Sequence, residues 1–166
     1  MWEAIGTIIA AIVGTGFAVY LRHRLSEPSA QIHEVTFQMD QRRDNRNGMV
    51  ISVDLSTCNL QDIDCQVAAY FSDASGEPLR DLNDDYRSYD GEVSVGTSLT
   101  PSRREQHFFD VELFIPYAEL HLTPGTHDLS LSVSLWRKAT NQTLAKTTDY
   151  EWRFTYGQRR RSKRNA

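Results

Sequence analysis

By the pattern of apolar and polar positions, the chain divides into an uninterrupted apolar run, a long alternating region and a short cationic end. Residues Ala4 to Leu21 (AIGTIIAAIVGTGFAVYL) carry no charge over 18 positions. As a helix rising about 1.5 Å per residue, this run spans roughly 27 Å, near the hydrocarbon thickness of a bilayer. Trp2 and Tyr20 stand at its ends, where amphipathic rings favour the headgroup level. A secretory signal would place basic residues before the run and a small-x-small cleavage site after it; here Met1, Trp2 and Glu3 precede it, and Arg22, His23 and Arg24 follow. A buried helix of a globular domain would show a polar face, which this run lacks. The pattern predicts a single N-terminal transmembrane helix, with residues 1–24 as anchor and 25–30 as linker. Arg22 and Arg24 put the N-terminus outside the cell membrane and the rest of the chain in the cytoplasm.

From residue 31 onward, period-two alternation dominates. QIHEVTFQM (31–39) sets Ile32 and, after a one-residue slip, Val35, Phe37 and Met39 on one face. A polar turn, QRRDNRNG (41–48), leads into MVISVDL (49–55); CQVAAYF (65–71) follows, then a turn at SDASGEP (72–78). EVSVG (92–96), HFFDVELFI (107–115), DLSLSVSLW (128–136) and LAKTTDYEWRFTY (144–156) complete the set. In 128–136, Leu129, Leu131, Val133 and Leu135 alternate with Ser130, Ser132 and Ser134, which are expected to face solvent. Pro116 followed by Tyr117–Leu120 predicts one helical turn, and Pro124-Gly125 a tight turn. Seven or eight short strands at this spacing predict an all-β fold over residues 31–157: an antiparallel β-sandwich of Ig-like or C2-like topology.

Within the apolar run, Gly6, Ala10, Gly14 and Ala18 recur every four residues and so share one helix face. Such a stripe lets two backbones approach closely, so these residues are the expected helix contact of a homo-oligomer. Charge is uneven: residues 30–157 hold 20 acidic and 11 basic side chains, whereas the last nine carry +5. The segment 158–166 reads as a basic, disordered tail. Its Arg159, Arg160, Arg161, Lys163 and Arg164 suit attraction to anionic membrane lipid or an acidic partner. No aromatics interleave with them, which disfavours nucleic acid. Asn141-Gln142-Thr143 fits a glycosylation sequon, discounted for a cytoplasmic domain.

VAAYFSDASGEPLRDLNDDYRSYDGEVSVG (67–96), TP (100–101) and FFDVELFIPYAELHLTPGTHDLSLSVSLW (108–136) resemble a recurring, largely uncharacterised bacterial β-sandwich module found appended to varied longer chains. The resemblance covers about residues 32–156, and FIPYAELHL-PG-HDL is its most specific block. It implies an accessory or interaction module and supplies no catalytic residues. This chain departs from the pattern in being short and directly anchored.

Candidate chemistry is sparse. Asp81, Asn83, Asp85 and Glu92 fall at positions one, three, five and twelve of an EF-hand-type loop, with the hard oxygen ligands calcium needs. Tyr86 occupies the sixth position, where that loop requires Gly, and no helices flank it, so an acidic connection between strands is the reading kept. His33, His107, His121 and His127 are scattered without zinc spacing. There is no GxSxG elbow, no Cys–His motif and no Gly-rich phosphate loop, so no enzyme activity and no cofactor are expected. Cys58 is out of phase with Met49, Ile51, Val53 and Leu55, and the two cysteines read as reduced thiols.

The reading that follows is a single-pass membrane-anchored interaction and assembly module. It self-associates through its span and binds protein partners through the cytoplasmic sandwich. Tyr86, Arg87, Tyr89 and Asp90 are the expected partner surface. The alternative is a membrane-perturbing effector, whose sandwich senses a ligand or partner and triggers oligomerisation of the span.

Overall fold

Strand β2 (Arg46–Cys58) organises the fold, because it is the middle strand of its sheet and turns alternate apolar residues inward. Met49, Ile51, Val53 and Leu55 are fully buried on one face, each contributing roughly 1.5–3 kcal/mol of apolar burial. The computed structural model describes residues 27–157. The predicted span with Gly6, Ala10, Gly14 and Ala18, and the tail with Arg159, Arg160, Arg161, Lys163 and Arg164, lie outside the described residues. Among the described residues, no helix is long and apolar enough to cross a membrane.

Antiparallel neighbours flank β2: β1 (Ser29–Arg43) on one side and β5 (Glu105–Pro116) on the other, forming a three-stranded sheet. The second sheet has β3 (Cys65–Asp73) at its centre, between β4 (Ser94–Leu99) and β6 (Gly125–Arg137). β7 (Gln142–Lys146) and β8 (Tyr150–Tyr156) then share the free edge of β6, β7 along its C-terminal half and β8 along its N-terminal half. Phe71, Val67, Leu131, Val133 and Leu135 of this sheet meet the inward residues of β2 in one core. The fold is thus an all-β sandwich of two antiparallel sheets.

Sequence periodicity located these strands closely, including the slip in β1: the register shifts between Ile32 and Glu34. Five details differ. The turn expected over 41–48 shrinks to Asp44-Asn45, because Gln41–Arg43 and Arg46–Gly48 stay paired. Both turn residues have positive φ (49° and 61°), the geometry that matches hairpin twist and favours Asp and Asn. Ser29 and Ala30, read as linker, already belong to β1 through pairing with Cys58 and Thr57. The short strand expected over 92–96 lies later, at Ser94–Leu99. The closing strand is two strands, broken where Thr147 donates from its backbone N–H to the Val133 carbonyl (2.9 Å) and accepts from the Val133 N–H at Oγ1 (3.0 Å). Finally, Ser130, Ser132 and Ser134 are buried rather than solvent-facing. β6 is a central strand, and these small side chains sit in its outer row between longer neighbours such as Tyr70 and Glu151.

Cys58 and Cys65 are free thiols; burial pushes the Cys65 thiol above its ordinary range.

Strand direction gives the sandwich two distinct poles. The proximal pole gathers the start of β1, the end of β2 and the starts of β3 and β5, with Asn59 Nδ2 donating to the Glu27 carbonyl. The distal pole gathers the β1–β2 hairpin tip, the 74–93 loop, the 3₁₀ turn Tyr117–Leu120 and the end of β8. Thirteen residues of β2 at about 3.3 Å each separate the poles by roughly 43 Å.

Candidate functional site

The 74–93 loop at the distal pole is held by its own hydrogen bonds. At its entry the Asp73 carboxylate accepts from the Ser75 N–H (2.8 Å), the Ser75 hydroxyl (2.6 Å) and the Glu77 N–H (3.1 Å). Those bonds, led by Ser75, hold the Asp73 carboxyl below the usual range. Further along, the chain folds back on itself. Leu79 N–H donates to the Phe71 carbonyl and Val93 N–H to the Leu79 carbonyl, at 2.9 and 2.8 Å. Asp81 N–H reaches the Gly91 carbonyl (3.1 Å), and Arg80 Nη1 the Asp90 carbonyl (2.9 Å). Gly91 adopts φ +80°, a left-handed conformation that glycine takes without steric cost. Leu79, Tyr86 and Val93 tuck their side chains against the core, fixing the loop from beneath.

At the base of this loop is a polar clasp. The Asp81 side chain is wholly buried, with Oδ1 3.3 Å from His121 Nε2 and Oδ2 accepting the Asp84 N–H at 2.6 Å. Burial works to raise the Asp81 pKa, but the His121 and backbone hydrogen bonds outweigh it and the net direction is downward. His121 reaches Asp81 because it closes the 3₁₀ turn in a left-handed conformation, φ 50°. Glu119, two residues earlier, accepts from Asn83 Nδ2 (3.0 Å) and lies 3.9 Å from Arg46 Nη1. Asp81, Glu119 and His121 place their ligand atoms within 4.8 Å of one another, a set of two carboxylates and an imidazole that could hold a divalent cation. In this arrangement the same atoms are satisfied by hydrogen bonds, and the cluster ties the acidic loop to the 3₁₀ turn.

Above the clasp the loop faces solvent. Leu82 is 75% and Tyr89 98% exposed; Asp84, Asp85 and Asp90 lie in the same exposed stretch. Arg87 pairs with Asp84. Of the four residues expected as a partner surface, Arg87, Tyr89 and Asp90 are exposed, whereas Tyr86 is half-buried with the Arg46 guanidinium 5.9 Å from its ring. Beside the loop, Arg42, Arg46, Tyr117 and Tyr156 border a depression of about 460 Å³.

Of the residues assigned EF-hand positions, Asn83 and Asp85 bond to one another, Asp85 N–H donating to Asn83 Oδ1 (3.3 Å) and Asn83 Nδ2 to Asp85 Oδ2 (3.5 Å), but the four do not converge on one centre. Asp81 turns to His121, Asn83 to Glu119, and Glu92 bridges Arg80 through the backbone. His33 and His107 instead stack on the outer face of the smaller sheet, centroids 5.6 Å apart, followed by the exposed Phe109. His127 bonds the Thr123 carbonyl, 2.8 Å away. Sequence reasoning missed the meeting of Glu119 and His121 with Asp81, which are about forty positions apart. The one local signal was a polar pair flanking Leu120 in an otherwise apolar turn.

No family model and no curated protein matches this chain. Among solved structures it is similar to a catalytically inactive form of OgpA from Akkermansia muciniphila in complex with an O-glycopeptide, at 17% identity and TM-score 0.39. That match covers 80% of this chain but only 30% of the other. A putative late embryogenesis abundant protein aligns at 14% identity and TM-score 0.33, over 92% of this chain and 87% of that one. AggA, the major subunit of aggregative adherence fimbriae type I from Escherichia coli, aligns at 11% and 0.30, over 76% and 95%. Likeness at this level carries no argument about what this chain does.

Proposed function

We propose that this protein is a single-pass membrane-anchored interaction module, whose cytoplasmic sandwich offers the 81–90 loop to a protein partner at the pole away from the bilayer. The observation that carries the reading is the exposure of Leu82 and Tyr89 on a loop pinned by hydrogen bonds. A rigid aromatic and an aliphatic side chain, displayed beside charged groups, have the composition of an interface centre and its polar rim. The resemblance of residues 32–156 to an accessory bacterial module agrees with this reading. Separately from that reading, the strand order β1-β2-β5 against β4-β3-β6-β7/β8 corresponds to A-B-E against C′-C-F-G, which favours the Ig-like topology over the C2-like one.

The anchor is the apolar run Ala4–Leu21, and Gly6, Ala10, Gly14 and Ala18 are its self-association face. Glu27 leads into β1 at the proximal pole, so that pole lies next to the membrane. Asp81, Asp84, Asp85, Asp90 and Glu92 gather at the other end, away from an anionic leaflet that would repel them.

The test is quantitative proximity labelling from the full chain in native membranes, comparing wild type with a Leu82→Ala/Tyr89→Ala variant. A direct partner should be labelled by the wild type and lost with the variant, while circular dichroism of the two domains coincides. An identical labelled set for both proteins would reject the loop as the docking surface.

A further inference from the structure

A second feature of the distal pole concerns the larger sheet. Across its outer face runs a groove of about 690 Å³, walled by the Asp73–Gly76 turn and floored by Asp128, Ser130, Glu151 and Arg153. Asp149 closes one side, and Trp152 also lines it, its Nε1 donor buried without an acceptor among the described residues. Four carboxylates face one guanidinium here. Arg153 is already committed to Asp128, at 2.5 and 3.2 Å. Asp149 and Glu151 are exposed and join none of the ion pairs among the described residues.

We infer that this groove holds the chain's own segment 158–166. Three observations converge on that occupant. First, β8 ends at Tyr156 opposite Gly125, so Gly157 leaves the fold at the distal pole, beside Pro124. Second, reach fits: Glu151 lies five residues back along β8, about 17 Å. Lys163 is six residues beyond Gly157, a span of at most about 20 Å. Third, charge fits: Arg159, Arg160, Arg161, Lys163 and Arg164 meet Asp73, Asp128, Asp149 and Glu151. Anionic lipid beside the anchor is a poorer match for an upright domain, because the poles stand roughly 43 Å apart. That is about twice what Lys163 can cover. The inference stands independently of the partner reading of the 81–90 loop.

The experiment is zero-length carbodiimide coupling of the full chain in neutral-lipid nanodiscs, mixing ¹⁵N-labelled with unlabelled chains and mapping coupled peptides by mass spectrometry. Lys163 should couple to Asp128, Asp149 or Glu151 of the same chain. The coupling should vanish in about 1 M salt, where the Debye length falls to about 3 Å. In an Asp149→Lys/Glu151→Lys variant, coupling of Lys163 to Asp128 should be lost as well, provided its circular dichroism matches wild type; the wild-type arm decides alone if that variant misfolds. Coupling only between isotopically different chains, only to carboxylates of residues 81–92, or none while Lys138 and Lys146 react, would each overturn the inference. So would loss of the coupling when anionic lipid replaces the neutral lipid.

Discussion

Tyr89 and Tyr86 are three residues apart, and their truncation should have opposite consequences. Tyr89 is 98% exposed, so nearly its whole side chain is available to a partner. A buried tyrosine covers roughly 150–250 Å², which at about 25 cal/mol per Å² sets a ceiling near 4–6 kcal/mol. Part of that is offset by desolvating the hydroxyl and ordering the side chain. Tyr89→Ala should therefore weaken partner binding by about 2 kcal/mol, which is about 30-fold in Kd. Stability in urea should stay within about 0.5 kcal/mol of wild type. Tyr86 packs against the core under Arg46, so Tyr86→Ala should cost about 1–2 kcal/mol of stability and lower Tm by several degrees. Isothermal titration with the partner identified by proximity labelling, alongside urea denaturation, reads both quantities on the same proteins. The reasoning fails if Tyr89→Ala destabilises the domain as much as Tyr86→Ala, or if it leaves Kd unchanged.

Three further outcomes are expected. Gly48→Ala brings a Cβ to 2.2 Å from the Ile115 carbonyl oxygen and 2.8 Å from the Phe114 ring, so it should cost about 3 kcal/mol; a urea midpoint near wild type would contradict the close β2–β5 approach. Asp73, Asp81 and Asp128 all have folded pKa values below the ordinary 3.8. The unfolded chain therefore binds more protons in that window, and the stability these carboxylates supply is complete above about pH 5 and lost as pH falls through their folded values. The urea midpoint should be flat with respect to these groups down to about pH 5 and decline below it, less steeply in Asp81→Asn; equal slopes for the two proteins would remove Asp81 from the account. Gly14→Leu should weaken self-association in a membrane dimerisation assay, and an unchanged signal would reject the small-residue stripe as the contact.

Sequence alone located most of the strands, because a strand that buries one face writes its period into local order, but the bounds of β1 and β4, the break between β7 and β8 and the second buried face of β6 lay outside that signal. Met49, Ile51, Val53 and Leu55 announced their inward side, and even the slip at His33 was visible as a break in phase. It also marked the acidic loop and three of the residues that the structure exposes there. The burial of Ser130, Ser132 and Ser134 was not legible, since accessibility depends on the height of side chains on adjacent strands. Nor was the meeting of Asp81 with Glu119 and His121, which requires the loop after β3 and the turn after β5 to arrive at the same pole. Polarity of the molecule is the largest such feature: only antiparallel pairing carries the start of β1 to one end and the end of β8 to the other. Alternation is a property of neighbours in sequence, whereas pole, groove and clasp arise from which strands pair, and period two says nothing about that choice.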